Sequence, residues 1–357
     1  MEQESWNVFI SLVRLGIGYT ASSLPERINW ESVEVTANEH GLSAIVLDGI
    51  EKLSVECRPP QAVLLNWIGE ALQSETIYAG QRKAAVEMAG LFQTNHIRTY
   101  VLKGAVVAEC YPKPERRVSS DMDCFLLPDA RVFDAWSLGN DLIKSKGYKV
   151  NTDFYKNSAF YLPGLIVENH QYLTPFRGNK NLASFEKVLQ DLLRQDKGED
   201  RLEGTYLYRP PVMVSALFLI EHAYSHFLHE GLTWRMVLDW VMFSRKHEKD
   251  VVWCDFDVLV EEFGFKQFYD CYVRLGKYLL GEIKEADLTI VDKKMLADVW
   301  APLDLHETLH GVKAKMQLAG NYWRARWKYK YFTNMNWVRA LFEWVTGAVF
   351  NRYPTLN

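Results

Sequence analysis

At Ile97 the period of the sequence changes, and that change limits what the chain can fold into. Before it, "ESWNVFISLVRLGI" and "PPQAVLLNWIGEALQSETIYAGQRKAAVEMAGLFQTN" place apolar residues three and four apart, the spacing of one helix face. Pro59-Pro60 suits the start of the second helix, because proline's fixed φ and missing N–H cost least in a first turn. After Ile97, "IRTYVLKG" reads as a short strand ending in a glycine turn, "AVVAECY" as a short helix and "DMDCFLL" as a strand. "PDARVFDAWSLGNDLIKSKG" is an amphipathic helix opened by Pro128 and closed by Gly147; "YKVNT", "SAFYLP" and "LIVENHQYLT" read as strands. This β-α-β-α-β-β-β order predicts a small mixed β-sheet with helices on one face. From Ala183 helical spacing returns in "PPVMVSALFLIEHAYSHFL", "TWRMVLDWVMFSRKH", "FDVLVEEFG" and "FKQFYDCYVRLGKYLL". The expected class is α+β: an N-terminal helical region (1–95), a compact α/β core (96–180) and a C-terminal helical region (181–357).

Composition narrows the function classes. A chain of 357 residues with 48% hydrophobic and 24% charged residues is an ordinary globular protein, and a net charge of −4 carries no global basic field for nucleic acid. The five cysteines form no CxxC pair, so they read as thiols in a reducing compartment rather than a disulfide frame or zinc knuckle. "MEQESWNVFISLVRLGIG" lacks a basic n-region and cleavage site, and no run approaches about 18 apolar residues. The expected location is the cytoplasm.

The chemistry centres on "DMDCFLL". Asp121 and Asp123 are one residue apart on a strand and so share a face. Like charges that close repel, and burial adds a desolvation cost. A divalent cation removes the conflict: Mg²⁺ (or Mn²⁺) takes carboxylate oxygens together with substrate phosphate. Glu168 in "LIVENHQYL" offers a third acid, with His170 two residues on and on the same strand face. Taken singly, these residues leave other readings open. Asp-x-Asp also marks strand ends and turns, Lys103, Arg116 and Arg117 suit a solvated surface, and Glu168 and His170 suit an edge strand.

In order, "VLKGAVV", "YPKPERRVSSDMDCFLL" and "IVENH" resemble the uncharacterised bacterial nucleotidyltransferase family of the polymerase-β-type superfamily. The resemblance covers about residues 97–175 and, more loosely, the helices to about 245. It implies a nucleotidyltransferase core and metal-dependent transfer of a nucleoside monophosphate from an NTP to a hydroxyl on a small molecule, a protein or an RNA end. It further implies that Asp121, Asp123 and Glu168 are the catalytic, metal-holding acids, with Glu168 drawing the acceptor's proton. Gly104 becomes the turn residue beside the triphosphate and Lys103 faces the phosphates. Arg117 matches the family arginine, and Ser119, Ser120 and His170 complete the nucleotide site. Two departures stand out: Ala105 follows Gly104 where the superfamily has Gly-Gly or Gly-Ser, and Glu168 replaces the commoner aspartate. The altered turn favours a rival, a catalytically inactive nucleotide-binding or regulatory module of the same fold; the complete acid set argues against it. Three close carboxylates are expected to raise at least one pKa, and Asp→Asn in the pair to leave stability unchanged or higher.

Three further features need a place. "EHAYSH" puts His222 and His226 on one helix face, but Glu221 precedes both, whereas the zinc-protease motif has glutamate between the histidines. They read as packing or hydrogen-bonding residues at the domain interface. Asp239 lies in an apolar stretch, and Arg235 four residues earlier is its expected partner. "YWRARWKYKYF" (322–332) interleaves basic and aromatic residues. It suits single-stranded nucleic acid, an anionic membrane surface or, best, a helix that packs its rings on the protein and extends its cations to water.

Overall fold

The computed structural model describes residues 2–338 apart from 22–23, 118, 130–133, 177–178, 301–311 and 334–335. Its N-terminal region holds α1 (Glu2–Gly16), α2 (Trp30–Glu39), α3 (Ser43–Glu51) and the 34-residue α4 (Gln61–Thr94), which starts directly after Pro60. The middle carries β1 (Ile97–Val101), α5 (Ala105–Ala108), β2 (Asp121–Pro128), α6 (Ala135–Ser145), β3 (Val150–Asn151), β4 (Asn157–Leu162) and β5 (Leu165–His170). Then come α7 (Lys180–Arg194), β6 (Leu207–Tyr208), α8 (Val212–His229), α9 (Trp234–Lys246) and α10 (Trp253–Glu262), followed by α11 (Lys266–Leu280), α12 (Ile290–Trp300) and α13 (Val312–Phe332). The chain is therefore mixed α+β, with helical regions flanking one sheet.

That sheet has six strands in the order β3-β4-β5-β2-β1-β6. β2 runs parallel to β5 and antiparallel to β1, and β4 runs antiparallel to both β3 and β5. β6 pairs parallel with β1 through Thr99–Leu207 and Tyr100–Tyr208. It comes from the stretch read as helical, because two residues are too few to leave a strand pattern.

The expectation of helices on one face is corrected: both faces are covered. Met122, Cys124 and Leu126 of β2 pack with Ala85, Met88, Ala89 and Phe92 of α4 and with Ile143 of α6. Phe125 and Leu127, on the opposite face, join the core built from α1, α3 and α7 to α11. A strand covered on both sides needs a near-continuous apolar run, and β2 is buried throughout Met122–Leu127 and apolar there except at Asp123. Fully burying each such side chain contributes roughly 1.5–3 kcal/mol. Asp123 is the one charged residue inside that run, so its burial needs a specific explanation.

The aromatic-basic segment is the end of α13. Trp327 and Phe332 pack against Phe227 of α8 at ring-centroid distances of 5.7 and 5.0 Å. The buried Lys328 donates to Phe227 O at 2.6 Å and to Asp298 at 2.8 Å. Arg324, Arg326 and Lys330 face solvent. Among the described residues no helix is long and apolar enough to cross a membrane.

Candidate active site

The site forms where β1 ends beside the start of β2. Leu102 N donates to Asp123 O at 2.9 Å, so Lys103 leaves the sheet alongside the Asp-x-Asp pair. The chain then turns at Gly104, whose φ is +69°. A Cβ there would make only ordinary contact with Ser119 Oγ at 3.4 Å and Asp121 O at 3.5 Å, so it is the backbone angle that calls for glycine. Gln81 of α4 braces that loop by donating to Ser119 O at 2.9 Å.

Parallel pairing of β2 with β5 sets Asp123 opposite Glu168 and Asp121 opposite Ile166. Because strand side chains alternate, Glu168 and His170 then share a face with Asp123. Ligand atoms of Asp123, Glu168 and His170 all lie within 4.8 Å of one another, and Asp121 stands outside this group. Helix α8 lies over the same face, with Phe218 edge-on to His170 at 6.2 Å and stacked on His222 at 5.7 Å.

The electrostatics explain how Asp123 tolerates 1% exposure. Its Oδ1 accepts from His170 Nε2 at 3.0 Å, and its Oδ2 faces the Lys103 ammonium at 3.1 Å. Oδ2 accepts no hydrogen bond of good alignment even so. Burial works to raise the Asp123 pKa, but Lys103 and then His170 outweigh it and hold the carboxyl well below its ordinary range. Glu168 is lowered as well, chiefly by His170 at 3.7 Å, against burial and the Asp123 charge. The expected raising of an acid is thus reversed, because two cations stand among the carboxylates. Burial and Lys156 act to lower His170, yet Asp123 and Glu168 leave it raised. Its Nδ1 also faces Tyr172 O at 3.1 Å, so both ring nitrogens point at acceptors, an arrangement that favours the protonated ring. Lys103 is raised too: burial opposes its charge, and Asp123 and Asp121 prevail.

The same residues fit a divalent cation. If His170 keeps its Nδ1–H on Tyr172 O, a neutral ring turns the Nε2 lone pair toward the point the two carboxylates share. A ligating histidine is commonly held this way, its other N–H on a backbone carbonyl. The poorly satisfied Asp123 Oδ2 adds a further acceptor at that point. Two carboxylates and an imidazole suit Mn²⁺ as well as Mg²⁺.

Residues 26–281 match the family described as uncharacterised nucleotidyltransferase. The chain belongs to this family. No curated protein and no solved structure gives a match.

In this family member the residues marked from sequence meet different fates. Lys103, Asp121, Asp123, Glu168 and His170 come together. Ser119 Oγ donates to Asp121 O at 2.8 Å and Ser120 Oγ to Asp121 Oδ1 at 3.2 Å, so both hydroxyls are engaged with the start of β2. Arg117 is buried and binds Asp239 with two nitrogens, Nε to Oδ1 at 2.8 Å and Nη2 to Oδ2 at 2.7 Å. Only its Nη1 lacks a hydrogen bond. Tyr111 adds a hydroxyl to Asp239 Oδ1 at 2.7 Å. Arg235, the expected partner of Asp239, feels its charge; the carboxylate also accepts from Arg117, 122 residues away in sequence, and so ties α9 to the loop before β2.

Other site residues escape a sequence reading. His222 Nε2 sits 3.0 Å from Lys103 Nζ. His226, by contrast, pairs with Glu230 at 2.6 Å. Glu221, 3% exposed, is pushed up to about 7, first by burial and against the pull of Lys156. The Lys156 charge also reaches Glu168 and His222. "EHAYSH" was the only advance signal for the histidine and glutamate, and Lys156 had none.

Proposed function

We propose that this protein is a metal-dependent nucleotidyltransferase that moves a nucleoside monophosphate from an NTP to a hydroxyl acceptor. The observation that carries the reading is the group of Asp123, Glu168 and His170 within 4.8 Å, set beside the Lys103-Gly104 turn in a chain of this family. Asp123, Glu168 and His170 would hold the cation, with Asp121 at the open end of the strand. A divalent cation bound there supplies Lewis-acid stabilisation of the charge that develops on the phosphate oxygens.

The chain's own groups do the rest. The glycine turn lets the backbone pass close to the phosphates, and the Lys103 ammonium adds fixed positive charge beside them. Asp123 is held by the Lys103 ammonium, 3.1 Å from its Oδ2. The Glu168 side chain is 35% exposed, so it is the acid that an incoming hydroxyl can reach. The acceptor oxygen bonds to the α-phosphorus, the bond from that phosphorus to the bridging oxygen breaks, and pyrophosphate leaves. The hydroxyl proton passes to Glu168. Phe218 and His222 of α8 wall one side of the site. The scattered thiols suit the cytoplasm as its place of work.

Incubating the protein with each of the four NTPs, Mg²⁺ or Mn²⁺ and candidate small-molecule, protein and RNA acceptors, and reading the products by mass, tests the proposal. Asp123→Asn should abolish any mass shift. An inert nucleotide-binding module, the reading favoured by Ala105, would bind NTP with little metal dependence and transfer nothing.

A further inference from the structure

Two-ion phosphoryl chemistry sets a pair of cations about 3.5–4 Å apart to clamp the attacking and leaving oxygens. In this site the acids are divided unequally between two cation positions. Asp123, Glu168 and His170 converge on one point. Asp121 does not join them. Between Asp121 and Asp123, where a second ion would be bridged, stands the ammonium of Lys103, 3.1 Å from Asp123 Oδ2 and 4.0 Å from Asp121 Oδ2. On its other side Lys103 meets His222 Nε2 at 3.0 Å. An ammonium only donates, so His222 meets it as an acceptor, with its Nε2 unprotonated.

We propose that the Lys103 ammonium takes the place of the second metal ion, so that the chain binds a single divalent cation, and that His222 positions Lys103 for this role. The inference rests on the metal reading of Asp123, Glu168 and His170 above. Three observations support it. Lys103 Nζ is held on three sides, by Asp123, Asp121 and His222. Its charge lies between the two aspartates, on the Oδ2 side that His170 does not reach, with Asp121 Oδ1 already taken by Ser120. A dication placed between the same two aspartates would meet the ammonium at close range, and like charges there repel strongly. A tethered lysine also fills the position without drawing an ion from solution.

Counting bound Mn²⁺ by the loss of the free-ion electron paramagnetic resonance signal tests this without reference to turnover. The wild-type chain should bind one Mn²⁺. Lys103→Ala should bind two, because removing the ammonium opens the Asp121–Asp123 position. Lys103→Gln serves the same purpose if Lys103→Ala fails to fold, as judged by its melting curve. His222→Ala, which frees Lys103 from its anchor, should admit a second Mn²⁺ at higher concentration; His222→Gln, which keeps an acceptor, should restore one. Two Mn²⁺ on the wild type, or one on the folded Lys103 variants, overturns the inference and leaves the metal site standing. No Mn²⁺ on the wild type overturns both the inference and the metal reading beneath it.

Discussion

Arg117→Met, paired with Asp239→Leu, tests whether Arg117 anchors the fold or touches phosphate. Asp239 accepts from Arg117 Nε at 2.8 Å, Arg117 Nη2 at 2.7 Å and the Tyr111 hydroxyl at 2.7 Å. Burial opposes the Arg117 charge, but the facing carboxylate outweighs it and raises its pKa. Removing one member of a buried ion pair costs about 3–5 kcal/mol, because the survivor keeps its charge without its counter-charge. Arg117→Met leaves Asp239 with Tyr111 and with the field of Arg235, so the lower end, about 3 kcal/mol, is expected. Asp239→Leu leaves Arg117 and Arg235 in each other's field without their counter-charge and belongs at the upper end, about 5 kcal/mol. The double variant replaces the pair with apolar contact and should cost less than either single variant, because neither buried charge is then left facing a lost counter-charge. Urea denaturation of the four proteins gives these values directly, since global stability is only about 5–15 kcal/mol. Single variants that each lose less than about 1 kcal/mol, within the range of ordinary exposed pairs, would refute the anchor. An NTP Kd raised by Arg117→Met with stability intact would return the arginine to the phosphate site.

The remaining predictions concern the same core. Gly104→Ala should cost about 1–3 kcal/mol by urea denaturation, since a non-glycine residue is strained at its φ of +69°; a neutral result would show that the turn relaxes freely. In metal-free protein Asp123→Asn should lower stability by about 3 kcal/mol, because Lys103 and His170 lose their buried counter-charge; an unchanged or higher melting temperature would restore the repulsion argument. Glu168→Gln should weaken Mn²⁺ binding only partly yet remove nearly all transfer, and equal losses in both would deny it the proton. His40 accepts from Trp234 N, and burial lowers its pKa from 6.5 to about 4. The unfolded chain therefore takes up the proton first, so this contribution is complete above pH 6.5 and is lost as pH falls toward 4, by about 3 kcal/mol in all. His40→Gln should flatten that part of the stability–pH curve; an equal slope in the variant would show that other groups set it.

The period of the chain by itself determined the elements and the phase of the acids. The long α4, the near-continuous apolar run of β2 and the two-residue spacings Asp121–Asp123 and Glu168–His170 are local properties, because a residue's face depends on its position within its own helix or strand. Once β2 pairs with β5, that phase suffices to bring Asp123, Glu168 and His170 to one point. What the period cannot state is which element docks against which face. The second helical layer over β2, the short β6 and the registers that join them follow from packing across the whole chain. So do the charges that make the site tolerable. Lys103 finds His222 119 residues away, and Arg117 finds Asp239 122 residues away. A strand pattern shows two carboxylates that ought to repel; tertiary structure decides that they do not, because a buried charge takes its free energy from the neighbours that surround it in space, and those neighbours are distant in sequence.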